Sequence, residues 1–202
     1  AQYFGQKNHN GVRDVFRMKI LIGITIIAIS ISVMIFLHEP LINMFLHEGS
    51  SSGNIQETFN YAKNYLYIMV IGIAPFVISN CYNTTLKESG QTVVPMKAGV
   101  LAVVFDIVLN YIFIFGKLGF PAMGVVGAAI ATVISRFVEC GYLVIYTHIH
   151  SNDYPFIKHC YRTLKVPGSL VKKIIITGAP LMLNEFLWAG GLTLQTQALS
   201  TK

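Results

Sequence analysis

The chain has 202 residues, of which 53% are hydrophobic and only 12% charged, with 15 Lys plus Arg against 9 Asp plus Glu for a formal net charge of +6. An average soluble domain carries about twice that charged fraction, so a water-facing globule is excluded for want of charges to coat it. The basic residues fall between apolar runs rather than along one stripe, which argues against nucleic acid as a partner and for a membrane lipid environment.

Five runs of about 20 predominantly apolar residues follow one another and predict an all-α, polytopic transmembrane bundle. The first is Ile20 to Leu37, closed by His38-Glu39-Pro40 because proline cannot continue a helix. Glu48 to Asn54 reads as a flexible external loop. The second run is Tyr61 to Leu86, with Pro75 predicting a kink. A short turn, Lys87-Glu88-Ser89-Gly90, leads to the third run, Met96 to Phe115. Another, Leu118-Gly119-Phe120-Pro121, leads to the fourth, Met123 to Tyr146, so these three spans are expected to be antiparallel neighbours. Ser151 to Gly168 is longer, polar and basic, holds Pro155 and Pro167, and reads as a linker. The fifth run is Leu170 to Gln195, with a second kink expected near Pro180. None of the runs alternates apolar with polar residues as a barrel strand would. The chain begins at Ala1 without methionine and ends at Ser200-Thr201-Lys202, as a piece of something longer would.

Sidedness follows from the loop cations. Lys7, Arg13, Arg17, Lys19, Lys87, Lys97, Lys158, Arg162, Lys165, Lys172 and Lys173 lie on one set of loops, and Lys63 and Lys117 on the other. The N-terminal end and residues 151–168 are therefore expected in the cytoplasm. The three cysteines, Cys81, Cys140 and Cys160, are odd in number and lack metal-ligand spacing, so reduced thiols and no metal are expected. His148-Ile149-His150 is the one close histidine pair. No nucleophile–base pair or metal motif suggests an enzyme.

Four ionisable residues interrupt the apolar runs: Asp106, Arg136, Glu139 and Glu185. Each costs about 2.5–3.5 kcal/mol at the bilayer centre, so each is expected to face protein or a cavity. Asp106 and Asn110 are four apart and share a helix face. A carboxylate and an amide there can hold a proton or a hard cation, or form an interhelical hydrogen bond. Glu185, after Pro180, is a second candidate proton or sodium carrier, or the partner of a cation on a neighbouring helix. Arg136 and Glu139 are three apart and read as a local pair, structural or gating. Met69, Phe76, Tyr82 and Trp188 are weaker candidates for an apolar substrate cavity.

Three stretches, LKESGQTVVPMKAGV, FDIVLNYIFIFGKLGFPAMGVVGAAIATVISR and GAPLMLNEFLWAGG, resemble the multidrug and toxic compound extrusion (MATE) family of transporters. The opening AQYFGQKN resembles that family's exit from its second helix. The resemblance implies twelve helices in two lobes. Residues 1–150 would supply the end of helix 2 and helices 3 to 6 of the N-terminal lobe. Residues 151–168 would be the cytoplasmic inter-lobe linker, and 169–202 the first helix of the C-terminal lobe, with the remainder of the chain as partner. It implies secondary efflux of cationic, amphipathic organic compounds across a bacterial plasma (inner) membrane. The driving ion would be sodium or protons, with no cofactor. Glu185 matches an acidic coupling position, and Thr132 a ligand position near the first-lobe site. The family often places Asn first and Asp four residues later on its fifth helix. Here Asp106 precedes Asn110, which moves the carboxylate about one turn, roughly 6 Å along the axis. The alternatives are a lipid-linked oligosaccharide flippase of related architecture, which calls for a basic central cavity, and a non-transporting membrane scaffold.

Overall fold

The computed structural model describes residues 2–43, 55–154, 156–158, 160–163 and 165–200. The expected loop Glu48–Asn54 lies outside the described residues. Among the described residues, eight helices follow in chain order: α1 (Gln2–Gly5), α2 (His9–Phe36), α3 (His38–Asn43), α4 (Ile55–Ile71), α5 (Ile73–Glu88), α6 (Val93–Phe115), α7 (Val125–Ile149) and α8 (Gly168–Ser200). A 3-10 turn spans Cys160–Arg162. No strand occurs among the described residues, so the all-α bundle stands.

Helix boundaries follow capping chemistry more than hydropathy. α2 starts eleven residues before the expected span, because the Asn8 side chain accepts a hydrogen bond from Gly11 N at 2.9 Å and so caps the helix. α2 ends at Phe36, as expected, because Pro40 cannot donate to the Phe36 carbonyl and its ring crowds it. Pro40 itself lies in the first turn of α3, where a missing N–H costs nothing. The second expected span is two helices, α4 and α5, bent by 43°. The break is at Gly72, three residues before Pro75, since the proline ring removes the bond to Ile71 O and crowds that carbonyl. α8, in contrast, runs uninterrupted through Pro180.

Among the described residues, α2, α6 and α7 are each long and apolar enough to cross a membrane, and the bent α4–α5 pair has the length and apolarity of a fourth span when taken as one. α8 has the length but is not among these spans. Large apolar side chains such as Val100, Val103 and Ile107 on α6 are more than half exposed. Such a belt is stable where hydrocarbon or further protein covers it, and not against water.

α7 lies at the centre, against α6 on one side and α4 and α5 on the other, while α2 packs on α5. The α6–α7 contact is set by small residues. A Cβ on Gly127 would come within 2.8 Å of the Phe113 backbone, and Ala129 and Ala131 are fully buried. That lets the two backbones approach closely. Between them Gly116 takes φ 65°, and a Cβ there would strike Ala122 N at 2.6 Å. Only glycine allows that turn.

The best-packed region is at one end of the bundle. Phe16 of α2, Tyr82 and Leu86 of α5, and Leu143 of α7 are buried together with Tyr154, Phe156, Ile157 and Cys160. The described residues at the start of the expected linker 151–168 thus form a strap, whose Tyr154, Phe156, Ile157 and Cys160 complete this core. Arg17 Nε donates to Cys160 O at 2.8 Å in a buried bond, and the Tyr82 and Tyr161 hydroxyls are hydrogen-bonded. Lys19 of α2 and Glu88 of α5 close the same end with an ion pair at 2.9 Å.

Candidate functional site

Asp106 lies midway along α6, on the face turned to α7. Asn110 Nδ2 donates to its Oδ2 at 3.0 Å, one turn along the same helix. Ser135 Oγ of α7 lies 3.1 Å from its Oδ1. The carboxylate is partly buried, and Ser135 is 6% exposed. Each carboxylate oxygen therefore takes one donor, and each keeps a further acceptor site.

Ser135 carries one proton but reaches two acceptors, Asp106 Oδ1 and the Ala131 carbonyl at 2.8 Å. Donating to Asp106, it supports the ionised carboxylate. Donating to Ala131, it turns a lone pair toward Asp106 and can accept from the protonated acid. The cluster is thus compatible with either charge on Asp106 without a backbone change. Thr132, three residues earlier on α7, does not make this contact; Ser135 does.

Residue 136 points elsewhere, because consecutive helix residues diverge by about 100°. Arg136 turns to the α4–α5 break. Its Nη1 reaches Gly72 O at 3.5 Å, and its guanidinium lies 4.9 Å from the centre of the Phe76 ring. The expected pairing with Glu139 does not form among the described residues. The break explains this: the interrupted helix offers a carbonyl, and Gly72 leaves the space. A Cβ on Gly72 would lie 3.3 Å from the arginine's Cδ and Nη1.

Beside Arg136 opens a cavity of about 690 Å³, lined by Met34, Ile42, Leu66, Met69 and Ile73 among others. Of the four residues expected to form a substrate cavity, Met69 lines this one, and Phe76 stacks on its arginine. Tyr82 lines a second cavity, of about 340 Å³, nearer the strap, with Cys81 and Cys140 in its wall. Trp188 stands on α8 and is 65% exposed. Glu185 is exposed on that same helix, which packs against none of the others to any comparable extent. Asp106 and Glu185 are not brought together here. No cluster of His, Cys, Asp and Glu able to hold a metal occurs among the described residues.

Sequence reasoning found Asp106 and Asn110 but missed Ser135, Gly72 and Arg17. Ser135 carries no signal of its own, since a serine in an apolar helix ordinarily satisfies itself on the preceding turn, as this one also does.

The MatE family model matches residues 1–112. A probable multidrug resistance protein NorM of Thermotoga maritima is 31% identical over 192 residues, covering 95% of this chain and 39% of that protein. A protein of the same description from Halalkalibacterium halodurans is 29% identical over 206 residues, covering 100% of this chain and 42% of its own length. The probable multidrug resistance protein YoeA of Bacillus subtilis is 28% identical over 195 residues, covering 93% and 39%. The chain thus spans about two fifths of the length of these curated relatives. No solved structure matches.

Proposed function

Since the chain belongs to the MatE family, we propose that it forms the central part of a secondary multidrug efflux transporter in the plasma (inner) membrane. Residues 1–150 belong to the first lobe, 151–168 join the lobes on the cytoplasmic side, and 169–202 open the second lobe. The cargo is a small amphipathic organic cation, and inward movement of sodium or protons drives its export. The relatives named as multidrug resistance proteins support the efflux reading.

The single observation that carries the coupling role is the Asp106 carboxylate, held among apolar helices by an amide and a hydroxyl that tolerate either of its charge states. Loading a proton or sodium ion at Asp106 removes a partly buried negative charge. That changes the cost of exposing this face and so biases which side the transporter opens toward. A drug cation competes for the same charge, so binding one expels the other. Glu185 serves as the second acid, carried on the helix that leads into the other lobe.

Ion-gradient-dependent efflux of a fluorescent organic cation, measured in everted vesicles, tests this reading. Asp106→Asn and Glu185→Gln should each abolish gradient-driven export at normal expression. Undiminished efflux from Asp106→Asn would remove the α6–α7 cluster from the mechanism.

A further inference from the structure

We propose that His38 is a proton-binding latch: on taking up a proton it tightens the α2–α3 corner and holds α3 closed over the large cavity. The proposal does not rest on the ion-coupling reading, since His38 lies past the end of α2 and far along the chain from Asp106 and Glu185. The first observation is the assignment of the two ring nitrogens. α2 ends at Phe36, so its last carbonyls need donors from beyond the helix. His38 Nδ1 lies 2.8 Å from Ile35 O. A carbonyl only accepts, so Nδ1 carries the proton and Nε2 of the neutral ring keeps a lone pair. The Tyr67 hydroxyl of α4 donates to that lone pair at 3.5 Å, and the two rings lie 5.5 Å apart. Glu39 Oε1 stands 3.9 Å from the same nitrogen. A proton can therefore load onto Nε2 without breaking the bond to Ile35.

The protonated ring gains on two sides. Positive charge beside the C-terminus of a 28-residue helix is favoured by the helix dipole, and Glu39 supplies an opposite charge. The last turn of α2 holds no basic residue to compete. Lys63 of α4, with Nζ 5.8 Å from the centre of the Tyr67 ring, opposes the gain. Tyr67 then accepts where it had donated, so the contact between α3 and α4 persists and becomes charge-assisted.

The second observation is what the corner carries. Leu41 and Ile42, three and four residues after His38, share its face of α3. Both line the 690 Å³ cavity, together with Tyr65, Leu66 and Met69 of α4, and Ile42 is 8% exposed. Fixing His38 to α4 thus fixes one wall of the cavity.

The test is modification of Ile42→Cys by neutral methyl methanethiosulfonate, in the full-length protein in nanodiscs, where the reagent reaches both faces. The label is quantified by mass spectrometry, and each rate is divided by that of His38→Gln in the same background, which cancels the common pH dependence of thiolate formation. At about pH 8 the ratio should be near one, and at about pH 5.5 the protein with His38 should react on the order of tenfold more slowly. Glu39→Gln should weaken this protection. Leu41→Cys should give the same ratios, which guards against a packing defect at Ile42. A ratio near one at both pH values would overturn the proposal, as would protection that grows toward high pH.

Discussion

Asp106 joins two helices at one carboxylate, with Asn110 Nδ2 donating from α6 and Ser135 Oγ standing 3.1 Å away on α7. The four-residue spacing puts Asn110 on the same face, and the two side chains do meet at 3.0 Å. Their partner across the helix interface was not legible, because Ser135 is joined to Asp106 through the register of α6 against α7, which no single helix encodes. Arg136 and Glu139 fail in the opposite way. Their spacing permits a pair, but a helix break in another segment offers Arg136 a carbonyl and a ring instead. The Asp106 cluster makes Ser135→Ala a sharp probe. The substitution removes one donor to a carboxylate and leaves the backbone alone. It should raise the driving-ion concentration for half-maximal efflux by about tenfold, as loss of one charge-assisted hydrogen bond predicts. An unchanged ion dependence in that variant would leave Asn110 as the only functional partner.

Among the elements, the spans were readable from length and apolarity, and their ends were not. α2 begins where Asn8 can cap it, and the α4–α5 crossing breaks three residues before its proline. The close approach of α6 and α7 rests on the small residues Gly127, Ala129 and Ala131, and the backbone contact shows which glycine is required. Gly127→Ala would press a methyl group against the Phe113 backbone at 2.8 Å, which cannot yield as a side chain would. It should destabilise the protein by about 1–3 kcal/mol, the usual range for overpacking. Gly141→Ala is the matched control on the same helix. Nothing lies within 4 Å of its added Cβ, so it should be neutral or slightly stabilising. Thermal unfolding in one detergent, run on both variants, checks the difference. Similar melting temperatures for the two would contradict the close-approach account.

For the whole molecule, the largest departure from the sequence reading is the strap. Its polar and basic residues read as a linker, yet Tyr154, Phe156, Ile157 and Cys160 are at most 5% exposed. Apolar residues scattered singly through a polar stretch give no periodic signal, so their burial depends on a surface formed by distant helices. Burial pushes the Cys160 thiol above its ordinary value; Arg17 and Arg13 pull it back down, and Asp14 adds to the rise. Because the folded value is raised, this contribution to docking is fully present below the ordinary thiol value of about 8.5 and is lost as pH climbs through the folded value. Alkylation of Cys160 by iodoacetamide should therefore be slow at neutral pH. It should rise above pH 9 more steeply than thiolate formation in a free thiol explains, as the strap releases. Arg17→Ala should speed the reaction at pH 7.5 by freeing the strap. A slower reaction would mean that the strap stays docked without Arg17.

The account as a whole turns on Asp106 exchanging positive charge inside the helix bundle. Infrared difference spectroscopy of the purified full-length protein, recorded between low and high pH and with and without sodium, reads that exchange directly. A carboxylic-acid C=O band should come and go in the wild type and be missing from Asp106→Asn. A difference spectrum unchanged by Asp106→Asn would mean that the acid neither takes up nor gives up charge, and the coupling role would pass elsewhere.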